Sequence, residues 1–182
     1  RSGSLPSFAM RLHQLKLEYV PDQDRLLLRL STDQNAEVLL WITRRCVQRL
    51  WAVLLDMAHA VPEIALQPNP EARRALLDFR HAAAVSQADF SRPYADVPRV
   101  YPMGPEPLLV VRVEARRGEK GQTLSLFPER GESIHIQLDE KLVHGLLKLI
   151  ENGVKKADWN LALRIGTSSA PVHADNERPT IN

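Results

Sequence analysis

One thiol and six imidazoles are the side chains in this chain best suited to nucleophilic or acid-base chemistry. Cys46 follows Arg44 and Arg45 at the third position of an expected helix, where the helix dipole and cationic neighbours lower a thiol pKa toward the reactive thiolate. It also shares a helix flank with Leu50 and Val53, and a free cysteine usually packs as a small hydrophobe, so packing is its expected role. His13, His59, His81, His135, His144 and His173 show neither HExxH nor paired helical spacing, so no metal and no cofactor is expected. Asp56 with His59, and Asp78 with His81, are three residues apart on expected helices, a spacing that can orient an imidazole for proton transfer. Surface pairs of this kind are commonplace, and these are read as structural. The sequence holds no Gly-rich phosphate loop and no GxSxG elbow; Gly118 and Gly121 fit a hairpin turn. No catalytic residue is assigned, and an enzyme built on Cys46 or a His-Asp pair ranks third among the function classes.

Charge points to no partner by itself. The 24 Lys and Arg against 22 Asp and Glu leave a net charge of +2, too balanced to attract a nucleic acid or a membrane through a concentrated positive field. Three basic clusters stand out: Arg44, Arg45 and Arg49; Arg73, Arg74 and Arg80; and Arg112, Arg116, Arg117 and Lys120. Acidic residues are interleaved among them, which favours mixed solvated faces over one basic patch. A single cysteine excludes an intramolecular disulfide and fits a cytoplasmic protein, and no run of about 18 apolar residues suggests a membrane span.

These side chains must be positioned by strands and helices that the pattern announces. Leu15, Leu17 and Tyr19 alternate with Lys16 and Glu18; Leu26, Leu28 and Leu30 share a face over residues 25–31; Val38, Leu40 and Ile42 share one over residues 36–42. At Thr43, a good N-cap hydroxyl, the period changes, and Val47, Leu50, Trp51, Leu54 and Ala58 recur at helical spacing up to Pro62. A second helix is expected from Glu71 to about Ala88 with Ala72, Leu76, Phe79 and Ala83 inward. Five prolines between Ser91 and Pro107 make an extended strap. The first pattern then returns: Leu109, Val111 and Val113 on one face, a strand over residues 123–127, and Ile134, Ile136 and Leu138 inward. Asp139 then caps a helix whose stripe is Leu142, Leu146, Ile150 and Val154. Setting Thr43 on Asp139, 96 positions later, superposes strand, cap and helix stripe, which suggests an internal repeat.

The expected fold is therefore α+β, an antiparallel sheet from two pseudo-repeated βββα units with an additional helix and a Pro-rich connecting strap. Its divisions are a disordered or vector-derived start (1–9), the first unit with its extra helix (10–90), the strap (91–107), the second unit (108–165) and a disordered tail (166–182). In outline a duplicated sheet-plus-helix unit resembles folds that bind single-stranded nucleic acid, a topological likeness without a sequence motif. Leu39 and Trp41 hold the outward face of the third strand, where the matching positions of the second unit are His135 and Gln137. Either the second helix covers them or they dock a partner. The leading expectation is a non-catalytic interaction or scaffold protein that self-associates or binds another protein through Leu39 and Trp41. The alternative is a single-stranded nucleic-acid-binding module using Lys16, Arg29, Trp41 and Arg112 on one sheet face.

Overall fold

The computed structural model describes residues 7–88, 90, 92–95, 97 and 99–166. Strict alternation gives three strands in the first half, β2 (Leu12–Val20), β3 (Arg25–Thr32) and β4 (Glu37–Ile42), preceded by a short β1 (Ser7–Met10). A single 3-10 turn, Pro21–Gln23, closed by Asp24 in the left-handed region, joins β2 to β3. Thr32 closes the next turn by accepting from the Gln34 and Ala36 amides. Helical periodicity then gives α1 (Arg44–His59), the one-turn α2 (Pro62–Ala65) and α3 (Pro70–Gln87). The second half contributes β5 (Leu108–Gly118), β6 (Gly121–Pro128), β7 (Ser133–Leu138) and α4 (Glu140–Lys156). Both long helices after a third strand begin on a side-chain cap: Thr43 accepts from the Cys46 amide and Asp139 from the Leu142 amide.

The molecule is α+β, but its sheet is mixed rather than antiparallel. The order β1-β7-β6-β5-β4-β3-β2 contains two parallel neighbours, β4 with β5 and β1 with β7. The reason lies in the connection. From β4 the chain runs through three helices and the strap before entering β5, and a crossover of that length returns the next strand in the same direction. The start was expected to be loose, yet Ser7, Phe8 and Ala9 are in register with Ser133, Ile134 and His135 of β7. The expected tail lies outside the described residues except for Gly166.

One face of the sheet is the core. Leu26, Leu28, Leu30, Val38, Leu40, Ile42, Leu124, Leu126, Ile134 and Ile136 are buried there beneath Val47, Leu50 and Leu54 of α1 and Leu146, Leu147 and Ile150 of α4. Close approach of α4 requires Gly153, because a Cβ at that position would lie 3.1 Å from a Leu26 methyl. Trp159, just past α4, is buried edge-on to Tyr19, and its indole N–H donates to Asp24 at 2.8 Å.

Three side-chain phases differ from expectation. On α3 only Leu77 is fully buried, while Ala72 is exposed and Phe79 is 71% exposed. This helix forms an outer layer on α4, so its contact face is set by Leu77, Arg80 and His81 rather than by a sheet. On α4, Val143 is buried in place of Leu142. On β5 the inward residues are Leu108 and Val110; a register break then leaves Val111 as a bulge, after which Val113 faces Leu126 on the core side.

These phases make a direct test. Leu26→Ala should lower the urea-measured unfolding free energy by about 2–5 kcal/mol, as for a large-to-small change in a closed core. Phe79→Ala should stay within about 0.5 kcal/mol. A comparable loss at Phe79 would contradict the packing of α3 described above.

Candidate functional site

Because α1 and α4 occupy the core face, the alternate residues of the strands form a second, open face. One row runs in register across four strands, Glu18, Leu27, Trp41 and Leu109, and the neighbouring row is Lys16, Arg29 and Leu39. Leu27, Leu39, Trp41 and Leu109 are all half-buried. Beyond the bulge, Arg112 returns to this face opposite Phe127, its guanidinium 3.7 Å from the ring centroid. Thus Lys16, Arg29, Leu39, Trp41 and Arg112 share one surface. The helix expected as a cover for Leu39 and Trp41 packs on α4 instead. Each of the three cations is paired: Lys16 with Glu18 at 2.7 Å, Arg29 with Glu37 at 3.0 Å, and Arg112 with Glu114.

The strap reaches this face and is more than a spacer. Glu37 has no exposed side-chain surface; it accepts from the Arg29 guanidinium and, at 2.6 Å, from the Tyr94 hydroxyl. Burial alone would raise the Glu37 carboxyl, but Arg29 and Tyr94 outweigh it and hold it below the ordinary carboxylate range. The Tyr94 hydroxyl is pushed up to about 12 by burial and by that carboxylate. The Arg29 and Arg99 guanidiniums lie 4.6 and 5.1 Å from the Tyr94 ring centroid. Backbone bonds from the Glu37 amide to the Val100 carbonyl and from the Val100 amide to the Asn35 carbonyl add a parallel bridge.

The first and third basic clusters meet. Arg45 and Arg49 of α1 line a cleft of about 320 Å³ together with Leu109, Val110, Val111, Arg112 and Val113 of β5. The second cluster lies elsewhere: Arg73 donates to the Gln67 carbonyl, and Arg80 makes a bidentate pair with Glu140 at 2.5 and 2.7 Å.

Cys46 is 6% exposed, and burial pushes its thiol up to about 11 although Arg49 pulls the other way. Desolvation thus disfavours the thiolate, and alkylation of the native protein at neutral pH should be far slower than that of a free thiol, becoming rapid only in denaturant. Neither expected His-Asp pair forms a hydrogen bond. His59 Nδ1 bonds the Leu55 carbonyl at 2.8 Å, and His81 Nδ1 lies 2.9 Å from His144 Nδ1 on α4. His144 is fully buried; its Nε2 has no hydrogen-bond partner, with Glu140 3.9 Å away. Sequence spacing could not announce this dyad, whose members stand 63 residues apart. The only hint was a histidine on each helix at a position beside the apolar stripe.

Burial, then His81, push His144 down to about 4, and burial with Lys148 lowers His81, against the opposing pull of Glu151 and Asp78. The folded state thus binds fewer protons than the unfolded chain between about pH 6.5 and pH 4. Stability is fully present above 6.5 and falls on acidification through that window. Glu37, Glu140 and Glu151 are lowered and lose their contribution only as carboxylates protonate, below about 4.5. Urea titrations between pH 6.5 and 4.5 should show falling stability, with a shallower slope in His144→Gln; an unchanged slope would remove the dyad from that role.

Comparison with protein-family models, with curated proteins and with solved structures finds no match to this chain.

Proposed function

We propose that this chain is a non-catalytic, cytoplasmic protein-binding module whose open sheet face docks a protein partner or a second copy of the chain. The observation carrying this reading is the half-buried row Leu27, Trp41 and Leu109, with Leu39 beside it, on the face opposite α1 and α4. The ion pairs of Lys16 with Glu18, Arg29 with Glu37 and Arg112 with Glu114 surround it. An apolar centre within a polar rim is the anatomy of a protein interface, and a central tryptophan is a frequent hot spot. On the same face Ser125, its hydroxyl 2.7 Å from His135 Nδ1, is buried, and the Cys46 thiol is buried as well, so neither group is presented at the surface.

We also read the two βββα units as an internal repeat. That reading is supported by matching caps at Thr43 and Asp139 and by burial of Val38, Leu40 and Ile42 alongside Ile134, Ile136 and Leu138. The units differ at Leu39 and Trp41 against His135 and Gln137, where His135 is engaged by Ser125 and Ser133. Divergence at these outward positions is what a docking surface centred on β4 requires.

Single-stranded nucleic acid is the second reading, favoured by the common face of Lys16, Arg29, Trp41 and Arg112 and by the Arg112 stack on Phe127. It ranks lower because each of these cations already has a carboxylate partner. Trp41→Glu should abolish self-association in sedimentation experiments, or weaken a recovered partner by about 2 kcal/mol or more, while the circular dichroism spectrum is retained. A monomeric wild-type chain whose partner recovery is indifferent to Trp41→Glu would refute the protein-binding reading. Salt-sensitive quenching of Trp41 fluorescence by an oligonucleotide would favour the second.

A further inference from the structure

Strand β5 is eleven residues long, yet on its β4 side only Leu108 and Leu109 are in register with a neighbour, Leu40 and Trp41. From Val110 to Gly118 its strand pairing among the described residues is with β6 alone. The first half of the sheet turns away at Ile42 into α1, leaving the cleft of about 320 Å³ between the edge of β5 and the first two turns of that helix. This volume falls within the range of ligand clefts. The cleft has two chemical components. Its floor is apolar, with Leu109, Val110, Val111 and Val113, of which the bulged Val111 is 50% exposed, and Thr43 and Cys46 complete the lining at the start of α1. Its wall is cationic: Arg45 and Arg49, one turn apart on α1, are exposed and have no hydrogen bond or ion pair among the described residues. Arg112 and Arg116 extend the positive rim along β5, and Glu114 is the carboxylate that both approach.

An unpaired strand edge bonds extended backbone, and alternate side chains of an added strand project to opposite sides. We propose that the β5 edge takes an extended acidic peptide segment as an added strand, its carboxylates meeting Arg45 and Arg49 on the α1 side while its intervening apolar side chains project to the opposite side, beside Leu109 and Val111. The site lies along the sheet edge and borders the open face, sharing Leu109 and Arg112 with it, so it adds an edge contact to that surface. Charge complementarity selects the occupant. A second copy of this chain would bring another cationic β5 edge against the first and be repelled. Single-stranded nucleic acid would satisfy the arginines, but the cleft lining contains no aromatic ring on which a base could stack.

The test uses the full chain and a fluorescein-labelled octapeptide of alternating glutamate and valine, read by fluorescence anisotropy. Beside it are run a lysine-valine octapeptide, the glutamate-valine peptide with every second amide N-methylated, and a labelled oligothymidylate. The glutamate-valine peptide should bind and weaken as salt rises, and the lysine-valine and N-methylated peptides should lose at least about tenfold in affinity. Arg45→Glu with Arg49→Glu should cause a similar loss; both side chains are exposed, so the double variant should keep its fold, checked by circular dichroism. The proposal is overturned if the glutamate-valine peptide does not bind, or if the N-methylated peptide or the double variant binds as well as its parent. Tighter binding of oligothymidylate than of the peptide would overturn it in favour of a polyanion groove.

Discussion

The architecture depends on a junction two residue pairs long. Leu40 with Leu108 and Trp41 with Leu109 are the register positions at which β4 and β5 join the two meanders into one sheet. Backbone pairing of that extent contributes little by itself, so the junction is sustained from the core side. There α1 packs against β5 and α4 against both α1 and β2, and Leu40, Leu108 and Val110 are buried. Hydrophobic burial is non-directional and tolerates a short ladder as long as the helices bridge it. The cost of the arrangement is a sheet that parts beyond Leu109, which is what leaves the β5 edge accessible.

Around this apolar centre the peripheral segments are held by polar groups. The strap is fastened through Glu37, Arg29 and Tyr94, and α3 through Arg80 with Glu140 and His81 with His144, with Leu77 as the fully buried apolar residue of that helix. Hydrogen bonds to charged groups in protected surroundings are directional and expensive to leave unmade, so they position a segment that buries too little apolar surface to position itself. The same groups make the attachment sensitive to protonation, whereas the Leu and Ile layer between helices and sheet is not.

Much of this was legible from the chain. Alternation at Leu26, Leu28 and Leu30 and at Ile134, Ile136 and Leu138, and the caps at Thr43 and Asp139, are local properties, and local physics decided them. The placement of Leu39 and Trp41 opposite the core residues followed from the two-residue period. What escaped was decided by partners distant in sequence. The parallel joins arise from where the crossover delivers the chain, and β1 is a strand because β7 offers it an edge. Val111 broke a clean alternation because a bulge shifts phase without changing composition. The rotation of α3 followed from its neighbour being a helix bearing Glu140 and His144, so that polar residues, invisible to an apolar-stripe reading, define its inner face. For α2 a signal existed, Pro62 at a first helical position, but a single turn carries no periodicity to read.

Trp159 donating to Asp24, and Ser7–Met10 lying alongside Ser133–Ile136, tie the two ends of the described chain to each other. On a ribosome the consequence is temporal. The turn at Asp24 emerges long before the indole that anchors it, and β1 emerges before the strand that gives it a place. The β2–β4 meander with α1 can collapse early through contacts close in sequence, but closure waits for the last helix and the residues just after it, as expected for a topology of high contact order. β1 is therefore placed only after β7 has been made, and until it docks the β7 edge that receives it stands open to other chains.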